Sequence, residues 1–102
     1  MPKYLLSYHG GDFPAELSKD VDAKWKRWAD GIGAAFIDRG GPLSTSKTIG
    51  RGGVVSATGV HETTGYGIIE AESLDAAIAI AKDCPQLSAP HADGTVEVAE
   101  LM

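Results

Sequence analysis

Cysteine is nearly absent. Cys84 stands alone in the 102 residues, so no internal disulfide can form. A lone thiol suits a reducing compartment, and the chain reads as cytoplasmic. Cys84 follows Asp83 and precedes Pro85. Reactive thiolates favour a helix N-terminus or a cationic neighbour, so this thiol reads as structural. Basic residues are also scarce: nine Lys and Arg against fourteen Asp and Glu give a formal net charge of −5. A phosphate backbone selects basic surfaces, so nucleic acid is not the expected partner. The one basic cluster, Lys24, Lys26 and Arg27, stands among Asp20, Asp22 and Asp30 and reads as a solvated helix face. No run approaches the roughly 20 apolar residues of a membrane span. The N-terminus lacks the longer apolar core and small-residue cleavage site of a signal peptide. What is present is an ordinary hydrophobic fraction, 43%. A chain of this length buries roughly two-thirds of the surface its unfolded form exposes. Residues 1–102 therefore read as a single domain with one modest core.

Local pattern supplies the elements. Tyr4, Leu5, Leu6, Ser7 and Tyr8 read as a strand stopped by Gly10 and Gly11. Both of its faces are fairly apolar, which predicts cover on both sides. Leu17, Val21, Trp25, Trp28, Ile32 and Phe36 recur at helical steps and predict one long helix, opened at Pro14 or Ser18 and closed at Arg39 and Gly40. The two tryptophans read as core. Gly41 to Ile49 reads as an exposed or edge strand, Gly50 to Gly53 as a turn, and Val54 to Ser56 as a short strand. Tyr66 to Glu72 reads as the third main strand. Ser73 is a good N-cap for a helix with Leu74, Ala77, Ile78 and Ala81 as its apolar stripe, stopped by Pro85. Gln86 to Gly94 reads as a loop, and Thr95 to Leu101 as the last strand.

The order is β-α-β-(β)-β-α-β, the pattern of an α+β, ferredoxin-like βαββαβ protomer. It predicts an antiparallel sheet with two helices on one face. The other face carries apolar residues from the first and third strands, and an exposed apolar face of that size marks an interface. The expected partner is a second copy, giving a homodimer through the open sheet face.

Five pieces in order resemble the YCII-related family of dimeric α/β-barrel proteins, over nearly the whole chain. They are Lys3-Tyr4-Leu5-Leu6; the helix around Trp25 and Trp28; Arg39-Gly40-Gly41-Pro42-Leu43; Gly65-Tyr66-Gly67-Ile68-Ile69 followed by Ser73-Leu74-Asp75-Ala76-Ala77; and Gly94-Thr95-Val96-Glu97-Val98. The resemblance implies a ferredoxin-like protomer whose sheet packs on a partner's sheet, with a pocket between sheet and helices. Some members look like small enzymes that use a histidine on the first helix and an aspartate beyond the Gly-Pro turn. That dyad does not carry over. The three histidines are His9, His61 and His91, none on the first helix, and no Asp or Glu lies between Pro42 and Glu62.

Candidate chemistry therefore comes from the residues themselves. His9 and Asp12 flank Gly10 and Gly11 at the end of the first strand. A carboxylate that orients an imidazole makes an acid/base pair; the structural alternative is a polar turn. His61 and Glu62 lie in a loop that could reach the same pocket and are the candidate ligand-binding residues. His9, His61 and Glu62 have metal-donor chemistry but no close ligand spacing, so no metal and no cofactor are expected. Ser44-Thr45-Ser46-Lys47 has serine-x-x-lysine spacing, but in a strand these positions point to opposite faces. Three functions follow: a small-molecule-binding protein, a proton-transfer enzyme (isomerase or lyase type) using His9 with Asp12, and an interaction module without a pocket.

Overall fold

The computed structural model describes residues 1–10, 18–43, 47–55, 63–87 and 94–102. The elements are β1 (Lys3–His9), α1 (Ser18–Ile32), β2 (Phe36–Pro42), β3 (Thr48–Gly50), β4 (Gly53–Val55), β5 (Thr63–Glu70), α2 (Leu74–Ala81) and β6 (Thr95–Glu100). Single 3₁₀ turns follow α1 at Gly33–Ala35 and α2 at Pro85–Leu87. The main sheet has four antiparallel strands in the order β2-β5-β1-β6. β5 lies between β1 and β2, which is the split βαβ topology of the ferredoxin-like fold. β3 and β4 form a separate hairpin, turning at Arg51 and Gly52.

Strand alternation sets the core. Tyr4, Leu6 and Tyr8 of β1 and Ile69 of β5 are buried on the helix side, with Ala29 of α1 and Ala77 and Ala81 of α2. Val96 and Val98 of β6 pack against the same cluster. On the opposite face, the register places Leu5 between Ile68 of β5 and Ala99 of β6. Ile37, next to buried Phe36 on β2, is 45% exposed. Leu5, Ile68 and Ala99 thus form an apolar row on the face away from the helices, and on β2 the register sets Asp38 beside Ile68.

Ser73 caps α2 as expected: its side-chain oxygen accepts a hydrogen bond from the Ala76 N–H at 3.1 Å. The expected stripe on that helix is half right. Ala77 and Ala81 are buried, but Leu74 and Ile78 are exposed, and Ala76 and Ile80 take their place against the core. The methyl side chains let α2 lie close to the sheet, so its buried face is narrow.

The first helix is shorter than its periodicity predicts. It ends at Ile32, and Gly33, at φ 67°, takes the left-handed conformation that closes a helix. Phe36 belongs to β2; its place in the helical stripe is a coincidence of spacing, and its ring is buried from the strand instead. Arg39 to Pro42 lie in β2 rather than at a helix end. The strand expected from Gly41 to Ile49 is divided between β2 and β3.

Gly40, at φ 63°, sits where a Cβ would run into the backbone carbonyl of Tyr66. Gly40→Ala should destabilise the fold by at least about 1–3 kcal/mol from backbone strain alone. Gly41→Ala, which meets nothing within 4 Å, should stay within about 0.5 kcal/mol. Equal urea midpoints for the two variants would refute this packing of β2 on β5.

Burial pushes the Cys84 thiol up from 9.0 to about 12, partly offset by the backbone N–H of Gln86. The Tyr8 hydroxyl is also pushed up from 10.0, by burial and then by Cys84. Both groups are neutral when protonated, so their raised values leave stability intact below about pH 9. Above it the unfolded chain loses protons that the folded chain keeps, and stability falls by about 1.4 kcal/mol per pH unit per group. Unfolding free energy measured from pH 8 to pH 11 should decline from about pH 9. Cys84→Ala should move the onset to about pH 10; an unmoved onset would show that the thiol is not the group responsible.

Candidate functional site

A cavity of about 430 Å³ opens between α1 and the sheet, at the end where β1 stops and β5 starts. Its size is that of a small-molecule site. Aromatic rings form much of the wall. Tyr8 meets Trp25 edge to face with ring centroids 4.8 Å apart, and Trp25 meets Trp28 at 5.7 Å. Trp28 meets Phe36 at 5.5 Å, again edge to face. Such geometry sets the positive edge of one ring against the negative face of the next. The tryptophans were expected as core; they are half-buried, pack on the core and line the cavity as well. Trp28 is further fixed by its indole N–H, which donates to the Ile80 carbonyl at the end of α2, at 3.2 Å. That carbonyl, in the last turn of α2, also accepts the Asp83 backbone N–H at 3.4 Å.

The polar groups fall into two sets. Gln86, Thr64 and the Tyr8 hydroxyl belong to the interior. Gln86 is 4% exposed, and its Nε2 donates to the carbonyls of His9 at 2.8 Å and Gly10 at 2.7 Å. The Thr64 hydroxyl donates to the Tyr8 carbonyl at 3.2 Å, beside the irregularity where Tyr8 pairs with Gly65 but His9 with Thr63. The end of β1 is thus clamped by one side chain from β5 and one from the turn after α2. At the mouth, Asp22, Lys26 and Arg39 line the opening. Asp30 binds Lys26 at 2.8 Å and Arg39 at 3.0 Å, and these hydrogen bonds hold its carboxyl below the usual carboxylate range.

The structure places the sequence candidates unevenly. His9 lies at the end of β1 on the face opposite Tyr8, with its Nε2 3.0 Å from the Ser7 Oγ. It is not one of the residues lining the cavity, although its backbone carbonyl receives Gln86. Asp12, His61 and Glu62 lie outside the described residues, as do His91, Asp93 and the serines of Ser44-Thr45-Ser46-Lys47. Among the described residues no cluster of three or more His, Cys, Asp or Glu could hold a metal ion. Gln86, Arg39 and Lys26 were not anticipated. Gln86 fell in an expected loop, and no periodicity marks a buried glutamine that reaches a strand end 76 residues away.

No family model matches the chain, and no curated protein matches it in sequence. Among the helices of the described residues, none is long and apolar enough to cross a membrane. Among solved structures the chain is similar to 5-chloro-2-hydroxyhydroquinone dehydrochlorinase (TftG) from Burkholderia phenoliruptrix AC1100, in its complex with 2,5-dihydroxybenzoquinone. The two share 24% identity over 93% of this chain and 90% of that chain, with a TM-score of 0.53. At that identity the likeness concerns the fold, and it agrees with the α+β, ferredoxin-like arrangement of two helices on a four-stranded antiparallel sheet.

Proposed function

We propose that this chain is a YCII-related-like cytoplasmic protein that binds a small, planar, oxygen-bearing aromatic molecule in the cavity beneath α1. The observation that carries this reading is the wall of Tyr8, Trp25, Trp28 and Phe36 around about 430 Å³, with few polar groups among them. Flat rings offer a flat ligand stacking and edge contacts without reordering flexible side chains. The ligand named with the similar solved structure, 2,5-dihydroxybenzoquinone, is likewise a small, planar, oxygen-bearing ring, a conjugated quinone in place of an arene. The working unit is a homodimer joined through the sheet face away from the helices, where Leu5, Ile68 and Ala99 present an apolar row.

A proton-transfer enzyme with His9 and Asp12 as its acid/base pair, and with His61 and Glu62 at the ligand, is the second reading. The contact between His9 and Ser7 gives the ring a polar partner, and on this reading the chemistry takes place on the sheet face opposite the cavity, where two protomers would meet. In that case His9→Ala abolishes turnover and leaves ligand affinity within about twofold.

The binding reading is tested by NMR on the two indole N–H signals while 2,5-dihydroxybenzoquinone is added. Both signals should shift with one saturable curve, and cyclohexanol at the same concentrations should leave them in place. Indole signals that stay fixed up to millimolar quinone would sink the proposal. Light scattering at micromolar concentration should give twice the 10.6 kDa chain mass, as expected for an interface of about 1,600 Å². A monomer mass that does not change on dilution would remove the dimer.

A further inference from the structure

We infer that Gln86 selects the ligand of this cavity: its side-chain oxygen accepts a hydrogen bond from a hydroxyl or N–H on the ligand's inner edge. This rests on the cavity being the binding site. Three observations converge. First, the side chain is 96% buried by its 4% exposure, and it lines the cavity. Second, both amide hydrogens are used on the His9 and Gly10 carbonyls, at 2.8 and 2.7 Å. Reversing the amide would set Oε1 against two carbonyl oxygens, so the clamp fixes which end is oxygen. Third, Oε1 accepts no hydrogen bond among the described residues. A buried acceptor that no described residue satisfies is open to a ligand donor, which would relieve the cost of its burial. The backbone holds the residue in place as well. Gly94 lies so close over the Gln86 carbonyl that a Cβ there would collide with it.

The ligand class follows. Its ring lies among the aromatic side chains, a donor group meets Gln86 inside, and an anionic substituent is tolerated at the mouth beside Lys26 and Arg39. A site built around a buried acceptor rejects an analogue of the same shape that lacks the donor. The enforced polarity means that an ether oxygen in that position is rejected too, since it meets oxygen with oxygen.

The test uses the full chain and three probes of one scaffold: 4-hydroxybenzoate, 4-methylbenzoate and 4-methoxybenzoate. Affinities are read by calorimetry or by the indole N–H shifts. The hydroxyl compound should bind about tenfold more tightly than the methyl and methoxy compounds, the effect of one buried hydrogen bond. Gln86→Met, checked for an unchanged melting curve, should bind all three within about twofold of one another. If that variant does not fold, the wild-type series decides alone. Equal affinities for the three probes in the wild-type protein overturn the inference and leave the cavity standing as a binding site. A folded Gln86→Met protein that still prefers the hydroxyl compound overturns it as well. Failure of all three probes to bind overturns the inference and the cavity reading together.

Discussion

The close approach of two aromatic rings to the backbone of β5 sets the geometry of everything above the sheet. Gly65 and Gly67 occupy buried positions of that strand. A Cβ at Gly67 would stand 2.7 Å from the Phe36 ring and 3.1 Å from the Tyr8 hydroxyl oxygen; at Gly65 it would stand 3.1 Å from the Tyr8 ring. Glycine weakens a strand interior, so its use twice on one face marks a place where something must lie close. Here it lets Tyr8 and Phe36 rest directly on the sheet. Trp25 and Trp28 then interlock with them edge to face, and α1 is held at the height that leaves a cavity at its margin. Larger side chains in β5 would lift the rings and move the helix.

Polar contacts supply the positioning that apolar packing leaves undefined. Trp28 ties α1 to the C-terminal end of α2 through the Ile80 carbonyl, and Gln86 ties the turn after α2 to the end of β1. The two links join both helices and the central strand within a few residues of the cavity. Both use backbone carbonyls at the ends of elements, where regular pairing stops and a carbonyl oxygen can take a side-chain donor. Hydrogen bonds of this kind are directional, so they fix orientation as well as separation.

What the sequence discloses follows from the range of the interactions involved. β1, β5, α2 and β6 are legible because alternation, a Ser73 cap and a Pro85 stop act within a few residues. The end of α1 is not, because Phe36 falls by chance at a helical step from Ile32, and the glycines between them gave too weak a stop signal against a continuous apolar stripe. The cavity is less legible still. Tyr8, Trp28, Phe36, Thr64 and Gln86 come from five separate parts of the chain, and the topology alone brings them together. Tryptophans at helical spacing look the same in sequence whether they fill a core or wall a cleft. Polar candidates at the ends of elements, such as His9, attract attention for their chemistry. Alternation from buried Tyr8 places His9 on the other sheet face, away from the cavity.

The division of labour within the site is set by dielectric. At the mouth, Asp22 and the ion pairs of Asp30 offset Lys26 and Arg39, so the opening has little net field to offer an anion. These side chains are about half exposed or more, and water screens such charges until each pair is worth about 0–1 kcal/mol. Charge at the rim can orient a ligand but discriminates weakly. Inside, the wall is mostly aromatic and the same kind of contact counts for more. A hydrogen bond is stronger there, and an unmatched polar atom is penalised because nothing else can satisfy it. Discrimination is therefore concentrated on the few polar groups that reach the interior, and of these Gln86 has its polarity set by two backbone carbonyls. On the proposed binding reading, the aromatic wall gives affinity for flat rings in general, and the fixed amide decides which of those rings is held.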